Sequence, residues 1–427
     1  MEPERKEAAP RPGLLDGPTP KLIGVGLVLL AMLVPHLMIG GVIEEREARH
    51  REVQAQIGAS WGGPQLLAAP ILAIPWTAGE VRRGRIYLQP ERLDAAVELA
   101  PQTRRRGLYE VPVFTATARL EGRFNPAGVA VPQEPGAVLH WAEAVVITGS
   151  QAFRLAGDVP SLRLGEATLP GEEGLPRWDD CMPSRGVIWQ PRLAAAPEGP
   201  IPFAVTLPLR GSQRFGVLPG PQRLNLTMAA AWPTPSFIGD DLPEQSSVEE
   251  WGFTAAWSQT GEGAAARRTL CGRHAPAAGV ELLEAVPTYR MVNRASKYAM
   301  LFLALSFVTY TLFELLAGLR IHIVQYAMLG CSVVMFPLLL LAIGEPLGFA
   351  AAYAASTLLV MAQASLFTAA VTGRRALAGA FAGVLAAQFG FLYVVLSLEA
   401  YALLVGTLAL FTVLSVVMAL TRRVRWG

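Results

Sequence analysis

Six stretches of this chain are apolar for about twenty residues each, and that one feature limits what it can fold into. A helix rises 1.5 Å per residue, so about twenty residues cross the roughly 30 Å hydrocarbon core of a bilayer. The stretches run Leu22–Ile43, Tyr298–Leu319, Val324–Gly344, Leu347–Val371, Ala376–Leu396 and Tyr401–Leu420. One stands alone near the N-terminus, and five crowd into the last third of the chain. Composition agrees: 52% of residues are hydrophobic and only 16% charged, which is too apolar for a soluble enzyme of 427 residues. The first stretch is expected to remain as an anchor, because its apolar run is long and "EERE" follows it where a cleavage site would need small residues.

Arginine and lysine orient the spans. Arg320, the pair Arg374 and Arg375, and the tail "TRRVRW" fall on one side, whereas the turns at Glu345–Pro346 and Ser397–Glu399 carry no basic residue. Basic short loops stay cytoplasmic. That rule puts both termini in the cytoplasm and about 250 residues outside, between the first and second spans. The expected organisation is a cytoplasmic tail (1–21), a first transmembrane helix (22–43), a periplasmic domain with a helical stalk (44–296), and a five-helix bundle with a cytoplasmic C-terminus (297–427).

In the external segment the periodicity changes. "EEREARHREVQAQI" continues the first helix as a charged stalk, and Gly58, Gly62, Gly63 and Pro64 then break it. Alternation follows. In "PFAVTLPLRG" Phe203, Val205, Leu207 and Leu209 share a face, and in "RLNLTM" Leu224, Leu226 and Met228 do. Short strands bounded by Pro and Gly predict antiparallel sheets packed as one or two sandwiches. The fold class is therefore a membrane protein of mixed α and β structure, with six transmembrane helices and a β-rich domain inserted after the first. "TATARLEGRF" and "TLPLRGSQRF" resemble each other and could mark a duplicated unit. Trp141, Trp189, Trp251 and Trp257 sit in strand-like runs and read as core aromatics rather than a sugar-stacking surface.

Sites of known chemistry are sparse. "GASWG" (Gly58–Gly62) matches G-x-S-x-G, but a nucleophile elbow needs a strand before the serine, and a helical stalk precedes Ser60. Five scattered histidines, with neither H-E-x-x-H nor C-x-x-C, give no zinc site. The pairs Asp179–Asp180 and Asp240–Asp241 read as loop chemistry. There is no phosphate loop or dinucleotide fingerprint, so no cofactor and no enzymatic activity are expected. A net charge of +2 leaves no basic field for nucleic acid. Cys181 and Cys271 both lie in the external segment, where an oxidising compartment could bridge them; Cys331 lies inside a span.

One polar cluster interrupts the apolar third of the chain: Glu314, Arg320 and His322 in "FELLAGLRIHIVQY". It reads as a tight cytoplasmic turn between the second and third spans. Glu314 lies about 9 Å from Arg320 along the helix and on a different face, so its partner should come from another helix end: Lys21, Arg374, Arg375 or His322. An ion pair fixing helix packing and a proton-accepting site both fit.

Several segments together resemble the CreD family of bacterial inner-membrane proteins. They are "GPQLLAAPILAIP", "WPTPSFIGDDLPE", "GFTAAWS" and the long run from "RASKYAMLFLALSF" to "LAIGEPLGF". The middle of the external domain, about residues 80 to 220, departs most. The resemblance implies an inner-membrane protein associated with envelope integrity, colicin tolerance and the response to cell-wall stress. It supplies no catalytic residue, ligand or cysteine pair. Beyond the lipid bilayer, the partners to expect are a periplasmic protein, peptidoglycan or lipid head groups. The alternative function is transport or lipid handling, against which stands the shortage of intramembrane charge.

Overall fold

A computed structural model describes residues 18–79, 82–107, 109–129, 133–175, 185–260, 277–282, 288–317, 321–398 and 401–421. Cys181, Cys271 and Arg320 lie outside the described residues, as do Asp179 and Asp180. The chain divides into two units, 1–49 with 286–427 and 50–285.

Among the described residues of the first unit, six helical segments are long and apolar enough to cross a membrane. The first begins as Pro18–Ala31 and continues, after a turn at Met32, as Leu33–Trp61. Its apolar part and its charged stalk are thus one nearly continuous rod. The others are Thr288–Ala317, Ile323–Leu347, Phe349–Thr372, Arg375–Ser397 and Ala402–Thr421. Two differ from expectation. The second starts about ten residues before its apolar stretch, because "TYRMVNRASK" continues the helical pattern beyond the hydrocarbon. The third breaks at Met335 into Ile323–Val334 and Phe336–Leu347. Pro337 causes the break: its ring nitrogen has no hydrogen to donate to the turn before it. The Met335 and Leu339 amides still bond to Cys331 and Met335 carbonyls, so no wide gap opens.

The bundle interior is aromatic. Tyr310, Tyr326, Phe336 and Phe381 are fully buried, and Tyr310 meets Tyr326 and Phe381 edge-on with ring centroids 5.7 and 5.0 Å apart. Ala402–Thr421 contrasts with this: Leu403, Leu404, Leu408, Phe411, Leu414 and Met418 all face outward, as lipid-contacting side chains do.

Among the described residues the second unit holds three sheets, of four, six and eight strands. In the largest, neighbours run in the order Gln245–Glu249, Gly252–Thr260, Arg223–Ala230, Arg92–Arg106, Tyr109–Phe124, Ile201–Ser212, Leu162–Leu164, Ala167–Leu169. Alternation decides its faces. Phe203, Val205, Leu207 and Leu209 are buried, as are Leu224, Leu226 and Met228. Side chains from all three sheets, among them Leu72, Trp189, Phe215, Val280, Leu93 and Trp257, form one continuous core rather than two sandwiches. Each fully buried Leu or Phe there is worth about 1.5–3 kcal/mol relative to exposure.

Two pairings depart from the antiparallel expectation: Arg223–Ala230 lies parallel to Arg92–Leu99, and Gln65–Leu67 parallel to Phe215–Val217. Parallel neighbours need a long connection, and more than a hundred residues separate each pair. The two similar segments, "TATARLEGRF" and "TLPLRGSQRF", prove to be adjacent, hydrogen-bonded strands in which Thr206 faces Arg119 and Leu209 faces Ala116.

At the end of the stalk "GASWGG" is helix-end chemistry. Ser60 sits in the last turn and its hydroxyl donates to the Ile57 carbonyl at 2.7 Å. Gly63 adopts the left-handed φ of 64° that ends a helix, and its amide reaches the Gly58 carbonyl. A Cβ on Gly62 would fall 2.3 Å from the Arg210 carbonyl oxygen, so only glycine lets the strand Ile201–Ser212 approach this closely.

Candidate functional site

Helix Thr288–Ala317 carries a column of polar side chains at four-residue spacing: Ser306, Tyr310 and Glu314. Residues four apart share a helix face, and each member of this column reaches a different neighbour. The Ser306 hydroxyl lies 3.4 Å from Gln388 Oε1 on Arg375–Ser397. The Tyr310 hydroxyl shares a hydrogen bond with Thr368 on Phe349–Thr372. Glu314 accepts a hydrogen bond from the Tyr326 hydroxyl at 3.4 Å, on Ile323–Val334, and pairs with Lys21 on the first helix.

Lys21 is therefore the partner that completes Glu314. The Glu314 side chain is 17% exposed and that of Lys21 35%. Lys21 can snorkel toward water while its ammonium stays on the carboxylate. Beneath the pair, Tyr326 is held by Phe307 and Tyr310, and its hydroxyl also stands 3.4 Å from Thr311 Oγ1.

His322 is not drawn into this cluster. It caps the helix beginning at Ile323: its Nδ1 accepts from the Val324 amide at 3.3 Å, and Gln325 Oε1 accepts from the His322 amide at 2.9 Å. Its side chain is exposed. The chemistry of "FELLAGLRIHIVQY" thus divides into an interhelical ion pair at Glu314 and a helix cap at His322.

A second polar feature escaped the sequence reading. Register places on the outer face of the eight-stranded sheet a row of Asp94, Asn225 and Ser258, a row of Ala96, Thr227, Ala256 and Gln245, and a row of Glu98, Ala229, Thr254 and Ser247. The first row is bonded across strands. Asn225 Nδ2 donates to Asp94 Oδ1 at 2.7 Å, Arg92 donates to both Asp94 oxygens, and Ser258 Oγ donates to Asn225 Oδ1 at 3.4 Å. Burial alone would raise the Asp94 pKa, but the bonds from Arg92 and Asn225 outweigh it and hold the carboxyl below its ordinary range. The other two rows line an open groove of about 520 Å³. Its floor is small (Ala96, Ala229, Ala256), its walls carry Thr, Ser, Gln and Glu, and Glu98 is met by Arg119 at 3.3 Å. In the turn between Gln245–Glu249 and Gly252–Thr260, Trp251 is 69% exposed and its Nε1 donates to Glu249 at 2.7 Å. The alternation of "RLNLTM" already turned Asn225 and Thr227 outward; which strands stood beside them was not in it.

Asp241 accepts from Gln259 Nε2 at 3.1 Å in a bend beside Pro219 and Pro221. Among the described residues no group of three His, Cys, Asp or Glu could hold a metal ion.

A family model described as "Inner membrane protein CreD" matches residues 18–427, nearly the whole chain. The chain belongs to the CreD family. Inner membrane protein CreD of Escherichia coli (strain K12) is 29% identical over 429 residues, covering 94% of this chain and 92% of that one. The CreD family assignment fits the six spans and the β-rich region between the first and second: this is a multi-span inner membrane protein. A solved structure from Legionella pneumophila aligns over 55% of this chain and 84% of its own, at 5% identity and a TM-score of 0.27, a likeness too low to carry any argument.

Proposed function

We propose that this is a non-enzymatic envelope protein of the bacterial inner membrane. Both termini lie in the cytoplasm, and the β-rich unit works in the periplasm, supporting envelope integrity under cell-wall stress by holding a partner there. The groove on the outer sheet face carries this reading. It is large enough for a ligand segment, since binding pockets run roughly 300–1,000 Å³, and hydroxyl, amide and carboxylate groups line it. No nucleophile and base converge in it. Such a surface fits a polar partner: a peptidoglycan segment or an extended stretch of a periplasmic protein.

The alternative, transport or lipid handling, draws on the polar column Ser306, Tyr310 and Glu314 inside the bundle. One experiment separates the two. In a strain lacking the gene, Thr254→Trp with Ala229→Trp should abolish protection against envelope stress while protein abundance stays at wild type, and Glu314→Gln should keep protection. Protection retained by the filled groove and lost with Glu314→Gln would replace the first reading with the second.

A further inference from the structure

The eight-stranded sheet ends on Gln245–Glu249, and that strand has a free side. Its pairing with Gly252–Thr260 runs residue for residue, from Glu249 opposite Gly252 to Gln245 opposite Ala256, with Glu250 and Trp251 as the turn. A two-residue turn closes on a pair that exchanges both backbone hydrogen bonds, and such pairs then alternate along the ladder. Glu249, Ser247 and Gln245 therefore bond inward, and the amides and carbonyls of Ser246 and Val248 point out of the sheet. Among the described residues no backbone group takes them. All five residues of the strand are exposed.

Free edges invite pairing with other chains, and proteins blunt them with lysine, proline or a bulge. Residues 245–248 carry neither charge nor proline, and the register contains no bulge. Apolar surface is also left open beside this edge. Of the five large hydrophobic side chains exposed among the described residues 50–285, three belong to this one stretch: Leu242, Val248 and Trp251. Val248 stands opposite the buried Phe253 at the rim of the core, yet it is 48% exposed.

Charge says what kind of segment would cover the edge. Asp240, Asp241, Glu244, Glu249 and Glu250 are all exposed, and residues 224–260 contain no lysine or arginine. Among the described residues none of the five carboxylates is in an ion pair. A second copy of this edge would set like charges against one another, which disfavours self-pairing. A basic strand is favoured. The bond from Trp251 Nε1 holds the Glu249 carboxylate beside an open indole, so an incoming lysine or arginine can meet both.

We propose that Gln245–Glu249 is the docking edge for an extended, basic segment of a partner protein, which adds a strand to the sheet. Its backbone bonds to Ser246 and Val248, its apolar side chains cover Val248, and its alternate, basic side chains project on the groove side beside Glu249. The proposal rests on the reading of the groove as a partner site, of which this strand forms one wall, and it chooses a polypeptide over a peptidoglycan segment.

The test uses the full-length chain in phosphatidylcholine nanodiscs, which carry no net charge, and a synthetic decapeptide alternating valine with lysine. With excess peptide, the Ser246 and Val248 amides should exchange hydrogen at least about tenfold more slowly. A valine–glutamate peptide should leave them unchanged. The fully N-methylated valine–lysine peptide keeps its charge but donates no backbone bond, and should bind at least about tenfold more weakly. Amides that stay fast with the lysine peptide would overturn the proposal, as would equal binding by its N-methylated form, which would mark charge attraction without strand addition. So would amides already slow in the protein alone, which would show the edge covered from within the chain. Val248→Pro removes an amide that faces away from the sheet and should abolish the slowing at Ser246, while Gly252–Thr260 keeps its protection. The peptide comparison on the unmodified chain stands even if that variant fails to fold. If the peptide leaves the edge untouched while soluble peptidoglycan fragments slow exchange at residues 254–256, the docking edge falls and the groove reading stands.

Discussion

Lys21 and Glu314 are 293 residues apart in the chain and form an ion pair that ties the first membrane helix to the second. In a bilayer there is no hydrophobic force between helices, because lipid tails are as apolar as leucine. Polar contacts then decide which helices adjoin. Little of the first span is buried against the rest: Leu22, Ile23, Leu27, Leu30, Leu33, Val34, Leu37 and Met38 all face outward. The pair is one of its few specific attachments.

Its removal should therefore be costly in one direction. Glu314→Leu leaves the Lys21 ammonium without its carboxylate and should lower thermal stability in detergent by about 1–3 kcal/mol, between the values for exposed and buried pairs. Glu314→Gln keeps one carbonyl oxygen to accept from Lys21, while its amide can donate to the Tyr326 hydroxyl oxygen, and should cost less than half as much. A double-mutant cycle with Lys21→Met measures the coupling. Additive losses would show that the two residues act separately.

Arg294 makes a comparable attachment at the other end of the bundle. Its guanidinium donates to the carbonyls of Val395, Leu396 and Leu398, at 3.1, 3.2 and 3.3 Å, where Arg375–Ser397 ends. Those carbonyls have no partner within their own helix, and a cation also suits a helix C-terminus. Arg294→Ala should destabilise by about 1–2 kcal/mol. Arg294→Lys should recover only part of that, because an ammonium cannot span three carbonyls with a planar fork. Equal stability of Lys and wild type would show that charge alone suffices.

Asp94 predicts an acid-sensitive step in the β-rich unit. Its folded pKa lies below the unfolded value of about 3.9. The stabilisation from Arg92 and Asn225 is therefore complete above that value and disappears as pH falls through the lower, folded one. Asp94→Asn should melt below wild type at pH 7, and the two should converge toward pH 2. A gap that persists unchanged at pH 2 would mean that packing, not charge, made the difference.

The orientation proposed from the basic loops has a direct check. Alkaline phosphatase fused after Trp189 should be active and a fusion after Arg375 inactive. Activity at both positions would overturn the orientation. In protein from an oxidising compartment, non-reduced peptide mapping would also show whether Cys181 and Cys271 are joined, closing a loop of about 90 residues.

The sequence by itself determined the number and order of the spans, the stalk and its glycine end, and the buried face of strands such as Ile201–Ser212. Each is a local property: a helix must be about twenty apolar residues long to cross lipid, and a strand with one buried face must alternate. It also marked Glu314 as needing a partner, since an ionisable group so deep requires a counter-charge. It did not choose among Lys21, Arg374, Arg375 and His322, because periodicity along one helix says nothing about which neighbour lies beside it. Tertiary structure chose Lys21 and turned His322 to capping its own helix. It alone joined Arg223–Ala230 to Arg92–Leu99 in parallel, and so assembled the groove, because strand order depends on pairings between segments more than a hundred residues apart. The strand Tyr109–Phe124 was set beside the end of the stalk in the same way, by Trp61 and Gln54 meeting the Phe114 and Glu110 carbonyls, of which the strand's own sequence carries no trace.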